Sequence, residues 1–360
     1  MYYKTEPFYI NVDAYVHTNN WEILQSIKIL NQKGYSVDLI DRDVSLWKPT
    51  EKYDLFLGLG VGNAGINFPR HAKASGADTK ILLSMGPQPD VSTDLTEKRY
   101  KIFNERNNLN VPSMRAPAKV TGKVWEEIVD STDYIFHIGE VGTESYNSFL
   151  PYKKPILSFY PSISPKVKFN KDWLKTRDLN SFLCFAGNGF ICKGVDLAVE
   201  AFLKQPNKTL HICGPSTERP FFQRYEKDIQ RAPNIKYHGF IEPGGDAFNA
   251  AAAKCAFVVN HAAAEAACTS VATAMKAGLV PIINKWTAIN ITNEGFVMPD
   301  EGDLVNIVSE TVKKASNLAY NEYETMVLNL MKKVTIFSQD SFIESYTKAL
   351  THVIESTKNE

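Results

Sequence analysis

The stretch from Phe257 to Ile283, FVVNHAAAEAACTSVATAMKAGLVPII, constrains the fold more than any other part of the sequence. Its two apolar runs, Phe257–Val259 and Leu279–Ile283, have the length and composition of buried strands. The residues between them follow a helical pattern, which Thr269 or Ser270 is suited to cap. Successive strands that are joined by a helix pair in parallel, so the stretch predicts a parallel sheet covered by helices.

The start of this helix is the first candidate binding site. Backbone N–H groups without helical partners, together with the positive end of the helix dipole, attract anions such as phosphate. Glu265 lies in the loop, four residues before Thr269. A carboxylate repels phosphate but accepts hydrogen bonds from hydroxyl groups, so this loop is suited to a sugar that carries a phosphate.

The same alternation of strands and helices runs through the whole chain. Apolar runs typical of strands occur at 8–12, 35–40, 54–59, 80–84, 134–138, 182–186, 209–213 and 235–238. Helical patterns occur at 21–33, 125–129, 195–203 and 247–254. This order predicts an α/β protein with parallel sheets. Prolines between Pro151 and Pro165, and the polar residues after them, indicate a break in mid-chain. We therefore predict an N-terminal domain at 1–165, a linker at 166–180, a C-terminal domain at 181–337 and a final amphipathic helix at 338–360.

The composition is that of an ordinary globular protein, with 44% hydrophobic and 22% charged residues. Lys and Arg number 40, as do Asp and Glu, which argues against a dedicated nucleic-acid binder because such proteins carry a basic excess. The 5 cysteines show no zinc-ligand spacing, so we expect reduced, mostly buried thiols and no metal site. Because there is neither a signal-peptide pattern at the N-terminus nor an apolar run long enough to span a membrane, we expect a cytoplasmic protein.

Two glycine-rich segments follow predicted strands. Gly187–Gly194 (GNGFICKG) places Lys193 at a helix start, where a cation is unfavourable with the helix dipole but neutralises a diphosphate. Its glycines let the backbone approach a ligand, yet such segments are also common turns, and both interpretations stay open. Gly60–Gly65 (GVGNAG) has dinucleotide-binding spacing, but it follows the third predicted strand and Pro69 interrupts the helix after it, which favours a plain turn.

Two further features each allow two interpretations. His17 and His261 follow predicted strands, where sites occur in α/β sheets, although a structural histidine is the commoner case. The segment Met85–Lys123 is basic, which fits either a solvated loop and helix or a segment that binds an acceptor or faces anionic lipid. Its basic residues include Arg99, Lys101, Arg106, Arg115, Lys119 and Lys123.

Four segments of the C-terminal half together resemble the retaining, nucleotide-sugar-dependent glycosyltransferases of the "group 1" family, which have the GT-B fold. These segments are FAGNGFICKGVDLAVEAF, HICGPS, NIKYHGFIEP and HAAAEAACTSVATAMKAGLVPII, all within 182–299. In the N-terminal half only the strand pattern and DYIFHIGEVGTES fit. The resemblance implies two Rossmann-like domains that face each other across a cleft, the N-terminal one for the acceptor and the C-terminal one for the nucleotide-sugar donor, with the C-terminal helix crossing back to the first domain.

The resemblance also implies an activity and roles for matching residues. Lys193 and Asn188 would contact the leaving diphosphate, and the N–H groups near Thr269 and Ser270 would assist them. Glu265 would order the donor sugar. Such a reaction needs the protein to position both substrates and to stabilise charge on the leaving group. The implied reaction moves a hexose from a UDP- or GDP-sugar to a glycan, lipid-linked or other hydroxyl acceptor, with retention and without metal, as in polysaccharide biosynthesis.

Other matching positions concern the nucleoside and the acceptor. By resemblance, Ile241 and Glu242 would line the base, and Thr273 would reach the ribose. Asn19 and Asn20, in the loop after the first strand, would close over the phosphates or meet the acceptor.

The sequence departs from the family pattern at several positions. Asn188 stands where the family usually has an Arg on the diphosphate, and Thr273 stands where a second Glu holds the ribose. Leu279–Pro281 is one residue longer than the usual Gly-x-Pro, and Ser84–Gly86 replaces a histidine near the reacting carbon. Loss of the Arg removes a charge-assisted contact of about 1.5–3 kcal/mol. These departures favour an alternative, a catalytically silent relative that binds a nucleotide or glycan, whereas the retained lysine and glutamate oppose it. A third hypothesis, a sugar-nucleotide epimerase, needs more acid and base residues than these segments contain.

Overall fold

The structure is a computed structural model that describes residues 1–9, 18–113, 120–215 and 217–357. These residues divide into two compact units. Unit 1 takes its residues from 1–94, 115–162 and 339–360, and unit 2 takes its residues from 95–114 and 163–338. The stretch 95–114 therefore belongs to unit 2, whereas the sequence places it in the N-terminal domain. Residues 166–180, predicted as a linker, also belong to unit 2, where Val167, Leu174 and Arg177 are buried.

Within the described ranges the chain forms twelve strands and thirteen α-helices. The strands are β1 (Tyr2–Tyr3), β2 (Ile40–Asp41), β3 (Leu55–Leu59), β4 (Thr79–Ser84), β5 (Tyr134–Ile138), β6 (Ile156–Phe159), β7 (Asp178–Phe185), β8 (Thr209–Cys213), β9 (Ile235–Tyr237), β10 (Cys255–Asn260), β11 (Val280–Asn284) and β12 (Phe296–Met298). The helices are α1 (Thr18–Gln32), α2 (Gly62–Ala74), α3 (Pro89–Asn107), α4 (Lys123–Asp130), α5 (Glu144–Asn147), α6 (Trp173–Thr176), α7 (Val195–Leu203), α8 (Arg219–Arg231), α9 (Asp246–Lys254), α10 (Thr269–Lys276), α11 (Leu304–Ser316), α12 (Tyr320–Lys333) and α13 (Gln339–Thr357). Short 3₁₀ turns are formed by Glu6–Phe8, Leu150–Tyr152, Lys285–Thr287 and Val334–Phe337.

Each unit is organised around one parallel sheet. Among the described residues, the strands of unit 1 lie in the order β2-β1-β3-β4-β5-β6, and those of unit 2 in the order β12-β11-β10-β7-β8-β9. The pairs within both sheets are parallel. The predicted fold class, α/β with two parallel sheets, is confirmed.

The inner strands of the unit 2 sheet are buried on both faces along most of their length. Successive residues of β10 point to opposite sides, as the period of a strand requires. Phe257 and Val259 pack in one apolar cluster with residues of α7 and α11, and Val258 packs in a second cluster with residues of α9 and α10. Strands that are covered on both faces read as continuous apolar runs, which explains why β8 has the bounds that the sequence predicts.

The final helix, α13, belongs to unit 1. Its predicted apolar face is confirmed, because Phe342, Tyr346, Ala349, Leu350 and Val353 are buried. The rings of Phe342 and Tyr346 stack on each other and contact Phe159 of β6. The Ser345 hydroxyl accepts the backbone N–H of Tyr160 at 3.1 Å. The C-terminal helix thus packs in the first unit, as the resemblance implies.

The predictions for the beginning of the chain are wrong. A strand is predicted at 8–12, but Phe8 ends a 3₁₀ turn that begins at Glu6 and contains Pro7, and 10–12 lie outside the described residues. The first strand is Tyr2–Tyr3 instead. The strand predicted at 35–40 is reduced to Ile40–Asp41, because β1 offers it only two residues as pairing partners.

Two helices also differ from the sequence predictions. The helix after Gly60–Gly65 does not stop at Pro69, because α2 runs through that residue and forgoes the hydrogen bond that its missing N–H would make. Helix α3 occupies much of the basic segment, and the sequence predicts it only weakly. The reason is that its buried side chains include Arg99 as well as Tyr100 and Phe103, which hides the apolar stripe.

Two other expectations concern the whole chain. The five cysteines are buried and form no disulfide, as predicted for reduced thiols. Among the described helices, none combines the length and the apolar character that a membrane-spanning segment requires.

Candidate functional site

Two segments that carry predicted donor-site residues, among them Lys193 and Glu265, lie at the carboxyl ends of β7 and β10, which are neighbours in the sheet. The segment 187–194 connects β7 to α7, and the segment 261–268 connects β10 to α10. Backbone hydrogen bonds join these two connections: Ala263 donates to the Cys192 carbonyl at 2.7 Å, and His261 donates to the Lys193 carbonyl at 3.3 Å. In open α/β sheets, this edge is where ligands bind.

Lys193 and Glu265 come from the two connections and form an ion pair, in which the ammonium donates to Oε1 of the carboxylate. The pair is largely buried, since the Lys193 side chain is 9% exposed and the Glu265 side chain 17%. The Glu265 N–H donates to the Trp286 carbonyl at 3.0 Å, which fixes the backbone of the loop. Because a buried charge requires a partner of opposite sign, each of these two side chains holds the other in place.

Helix α10 begins beside this ion pair. Its N-cap is Cys268 and not Thr269 or Ser270, so the predicted cap is wrong by one or two positions. The Cys268 N–H donates to the Thr287 carbonyl at 3.1 Å, which fixes the backbone that leads into the helix. Burial raises the pKa of the Cys268 thiol, the Glu265 charge raises it further and the Lys193 charge lowers it. Both charges therefore act on the first turn of the helix, where N–H groups have no helical partner.

Asn188 and Thr273, two of the departures from the family pattern, are both engaged within the protein. Asn188 is exposed, and its side-chain carbonyl accepts the N–H of Gly189 at 3.1 Å and that of Thr217 at 3.4 Å. Thr273 is 4% exposed, and its hydroxyl donates to the Thr269 carbonyl one turn earlier at 2.6 Å. Both side chains thus stabilise local backbone.

The residues predicted to line the base lie in different surroundings. Ile241 is 8% exposed and packs in the apolar cluster on the α9 and α10 side of the sheet. Glu242 is exposed, and its carboxylate pairs with Lys166 at 3.0 Å. The structure therefore does not place the Glu242 carboxylate with the Lys193–Glu265 pair.

Asn19 and Asn20 belong to unit 1, at the start of α1. Both side-chain carbonyls accept hydrogen bonds from the Lys4 ammonium. Burial lowers the pKa of Lys4 to about 8. The pair that the sequence assigns to phosphates or acceptor is thus joined by a lysine that sequence reasoning missed.

Glu218 is a second residue that sequence reasoning missed, and it accepts a hydrogen bond from the connection 187–194. Its side chain is fully buried, and burial raises the pKa of its carboxyl group. One oxygen accepts the N–H of Ile191 at 3.0 Å, and the other accepts the Tyr100 hydroxyl. Without that acceptor the Ile191 N–H would lose its buried hydrogen bond, so Glu218 fixes the path of the glycine-rich connection.

Arg99 contacts the second connection, 261–268, at His261. Its guanidinium donates to the His261 carbonyl and to Nδ1 of the His261 ring, both at 2.7 Å. Because Nδ1 accepts, Nε2 carries the proton and donates to the Pro299 carbonyl at 2.9 Å. Burial and the Arg99 charge lower the pKa of His261 to about 3, so the ring is neutral. His261 has the structural role that is commoner for a histidine, whereas His17 lies outside the described residues.

Gly194 closes the glycine-rich connection just before α7. Its φ of +71° lies in the left-handed region, and a Cβ atom there would stand 2.7 Å from the His261 carbonyl oxygen. Only glycine satisfies both conditions. The backbone that carries Lys193 is thereby brought against the connection that carries Glu265.

Two of the basic residues named in the segment 85–123 form ion pairs within the protein. Arg106 pairs with Asp196 at 2.6 Å and with Glu200 at 3.1 Å on α7. Lys101 pairs with Glu105 at 3.9 Å, and Lys123 is exposed at the start of α4. The predicted Arg115 and Lys119 lie outside the described residues.

No family model matches the sequence, and no curated protein matches it. Solved structures do match in fold. WaaG, a glycosyltransferase involved in lipopolysaccharide biosynthesis, is 15% identical with a TM-score of 0.56, over 97% of each chain. HepE from Anabaena, in complex with UDP and glucose, is 12% identical with a TM-score of 0.57, over 91% of this chain and 88% of that one.

The pneumococcal O-GlcNAc transferase GtfA, in complex with UDP and GlcNAc, is 14% identical with a TM-score of 0.56. The match covers 83% of this chain but only 57% of GtfA, so this chain spans little more than half of that protein. At these identities the likeness concerns the fold. This chain has the two-domain α/β fold of GT-B glycosyltransferases.

Proposed function

We propose that this protein is a glycosyltransferase that moves a hexose from a nucleoside-diphosphate sugar to a hydroxyl group of an acceptor. The observation that carries the proposal is the buried Lys193–Glu265 ion pair beside the first turn of α10. An ammonium and free helical N–H groups together favour a dianionic diphosphate. The GT-B fold of WaaG and GtfA, and the UDP bound to GtfA and HepE, support the same class of donor.

In this reaction the acceptor oxygen forms a bond to C1 of the donor sugar, and the bond from C1 to the diphosphate oxygen breaks. The electron pair of the broken bond leaves with the nucleoside diphosphate, and the acceptor proton passes to the leaving group or to water. Lys193 and the N–H groups at Thr269 and Ser270 stabilise the charge that develops on the leaving oxygen. We further propose retention at C1 and no need for a metal, as the resemblance implies.

Glu265 has a different task, because its carboxylate repels phosphate. Its oxygens accept hydrogen bonds from sugar hydroxyls, while its bond to Lys193 keeps the lysine directed at the start of α10. The negative charge of Glu265 is offset by the ammonium, so the approach of a dianion is not opposed by an isolated buried carboxylate. Lys193 and Glu265 are therefore the residues that we assign to the reaction.

A second candidate function is a catalytically silent relative that binds a nucleotide or glycan. Two observations favour it. Asn188 is uncharged and turned to its own loop, and the Thr273 hydroxyl is bonded to the Thr269 carbonyl. Neither side chain supplies the charge that the family pattern has at that position.

Calorimetry with UDP, GDP and their sugars tests the donor site. We expect binding in the micromolar to millimolar range, and we expect Lys193→Ala to weaken it about 10- to 100-fold, because a charge-assisted contact is lost. Lys204→Ala is the matched control, since Lys204 is exposed at the end of α7. Binding that is unaffected by Lys193→Ala would place the donor elsewhere. Release of free nucleoside diphosphate in the presence of an acceptor distinguishes the transferase from the silent binder.

The nature of the acceptor, whether glycan or lipid-linked, stays a prediction from the sequence, as do the cytoplasmic location and a peripheral contact with the membrane. The same holds for the choice between UDP and GDP. A thermal-shift screen of nucleotide sugars against the whole chain addresses the last of these directly, because a ligand of the folded state raises the unfolding temperature.

A further inference from the structure

The chain leaves unit 1 between Ser162 and Ile163, and hydrogen bonds fix the backbone on both sides of this point. In unit 1, α13 binds the Tyr160 N–H through the hydroxyl described above. In unit 2, the Ile163 N–H donates to the Phe337 carbonyl at 2.9 Å. We call residues 160–162 the exit segment of unit 1. Its contacts with the rest of that unit determine how firmly the chain is held where it leaves.

Glu22 of α1 holds the last residue of the exit segment. One oxygen of its carboxylate accepts the backbone N–H of Ser162 at 2.8 Å and the Ser162 hydroxyl at 3.2 Å. Both residues are buried, since Glu22 is 5% exposed and Ser162 is 1% exposed. A buried N–H without an acceptor is costly, so this carboxylate supplies a hydrogen bond that Ser162 requires.

The charge of Glu22 is only partly compensated by a cation. The Lys4 ammonium attracts the carboxylate, but it donates its own hydrogen bonds to Asn19 and Asn20. Burial raises the pKa of Glu22 to about 7, although the Ser162 hydrogen bonds and the Lys4 charge lower it. Near neutral pH, both the charged and the protonated form of Glu22 are therefore populated.

Three other titratable groups line the same cavity as Glu22. Tyr3 of β1 and Tyr346 of α13 have pKa values that burial raises, so their hydroxyls stay neutral. The Met1 amino group donates to the Asp38 carbonyl at 2.5 Å, and burial lowers its pKa to about 6. Because this amine titrates close to Glu22, a variant of Glu22 is needed to separate the two.

The cavity itself lies within unit 1 and has a volume of about 20 Å³. Tyr3, Ser26 and Tyr346 line it with polar side chains, and β4 and β6 line it with apolar ones. This volume has room for one water molecule. A carboxylate only accepts hydrogen bonds, whereas a protonated carboxyl group also donates one, and a water molecule satisfies either form. The surroundings of Glu22 therefore suit both protonation states.

We propose that Glu22 is a pH-sensitive switch for the exit segment. As a carboxylate it holds Ser162 by two charge-assisted hydrogen bonds, and after it binds a proton it holds Ser162 less firmly. A hydrogen bond to a charged acceptor is about twice as strong as one to a neutral acceptor. The inference concerns α1 and the end of unit 1, and it does not depend on which donor or acceptor this protein uses.

Protonation of Glu22 should affect the whole protein and the exit segment in opposite ways. Its pKa of about 7 lies above the ordinary value of 4.5, so the folded protein binds this proton more readily than the unfolded chain does. Glu22 therefore costs no stability below about pH 4.5, and its full cost is reached above about pH 7. The hydrogen bonds to Ser162, in contrast, strengthen over the same range. A structural carboxylate that stays ionised would show neither dependence.

Amide exchange of the full chain, corrected for intrinsic rates, tests the proposal at Ser162. We expect this amide to be at least fivefold less protected at about pH 5.5 than at about pH 8, because a charge-assisted bond becomes a neutral one. Glu22→Gln keeps an acceptor oxygen without the charge, so protection of Ser162 should be the same at both pH values.

Glu127→Gln is the matched control for amide exchange, because Glu127 is exposed on α4 of unit 1. This variant should respond to pH as wild type does. Equal protection of the Ser162 amide at both pH values in wild type, or an undiminished response in Glu22→Gln, overturns the proposal.

Denaturant unfolding measures the opposite effect on the whole protein. Glu22→Gln should gain stability relative to wild type between about pH 5.5 and about pH 8, since only wild type acquires a buried charge. An equal difference between the two proteins at both pH values contradicts the switch.

Ser162→Ala provides a readout that does not require Glu22→Gln to fold. Infrared difference spectra of the full chain should show a buried carboxyl group that titrates at about pH 7 in wild type. Removal of the Ser162 hydroxyl removes one group that lowers the pKa of Glu22, so the midpoint should rise in the variant.

An unchanged midpoint in Ser162→Ala would assign the signal to another buried carboxyl group, such as that of Glu218. That result, or the absence of any such carboxyl signal in wild type, overturns the proposal. None of these measurements uses a nucleotide, so a failure of the switch leaves the proposed function unaffected.

Discussion

The two glycine-rich turns of this protein look alike in sequence and differ in what their glycines do. Gly60–Gly65 runs from the end of β3 into the first turn of α2 in unit 1, and Gly187–Gly194 leads from β7 to α7 in unit 2. In the first turn, a Cβ at Gly60 would overlap the Leu82 side chain at 2.2 Å, so glycine serves packing. In the second turn, glycine brings the backbone of Lys193 against the connection that carries Glu265. Glycine spacing therefore predicts only a tight turn, whereas the buried ion pair marks the second turn as part of a candidate site.

The largest expected difference between the turns follows from replacing one glycine in each. Gly194 and Gly62 both have positive φ, but a Cβ at Gly62 meets nothing within 4 Å. Gly62→Ala should cost about 1–2 kcal/mol of backbone strain and leave nucleotide binding unchanged. Gly194→Ala adds an overlap with a carbonyl, so we expect a loss of more than about 3 kcal/mol and at least ~30-fold weaker UDP binding. Denaturant unfolding and calorimetry measure both. Equal effects of the two changes would contradict this distinction.

A smaller effect concerns the support beneath the second turn. Glu218→Ala leaves the N–H of Ile191 without its acceptor, which should lower the free energy of unfolding by about 1–3 kcal/mol. Because the turn then loses its fixed path, we expect UDP binding to weaken about tenfold, whereas the KM for the acceptor should change little. Glu218→Gln keeps an oxygen for the N–H and should restore most of the binding. If Gln and Ala variants bind UDP equally weakly, the carboxylate charge matters more than its position.

The smallest expected effect is a pH dependence of stability that arises from His261. We expect it at the second turn and not at the first. The folded protein holds this ring neutral with a pKa of about 3, against 6.5 for an ordinary histidine. The unfolded chain therefore binds the extra proton first, so stability is full above about pH 6.5 and falls as the pH falls toward 3. At about pH 5.5 the loss is on the order of 1 kcal/mol.

Amide exchange across the two turns measures this dependence. After correction for intrinsic rates, Gly194 and Val195 should exchange faster at about pH 5.5 than at pH 7.5, and His261→Gln should reduce the change. His71→Gln is the control, because His71 lies on α2 after the first turn and burial lowers its pKa too. An equal response of 187–194 in the His261→Gln variant would assign the effect to another group.

The sequence predicts the sheet of unit 2 well for a physical reason. Its inner strands are covered on both faces, so each of them contains an apolar run that local composition reveals, whereas the partly exposed edge strand β12 is not predicted. The two-residue strand β1 gives no such signal, because its position is decided by pairing with β2 and β3. Tertiary contacts, which local pattern does not contain, therefore determine the beginning of the chain.

The residues of the candidate site also divide into those that the sequence predicts and those that it does not. Lys193 and Glu265 are predictable, because each lies next to a glycine turn or a helix start that is visible in the sequence. Arg99 and Glu218 are not, because an arginine in a basic stretch and a glutamate in a polar turn both look solvent-facing. Their burial follows from the packing of α3 on α7 and α8, which joins residues far apart in the chain.

Because residues 95–113 belong to unit 2, this unit cannot be completed until a later part of the chain has been synthesised. These residues leave the ribosome well before Asp196 and Glu218 do, so Arg106 and Tyr100 acquire their partners only after a later part of the chain has been made. A graft of the second unit onto another protein would have to carry two pieces of polypeptide. Taken alone, 163–338 would expose the buried carboxylate of Asp196 to a surface without its arginine.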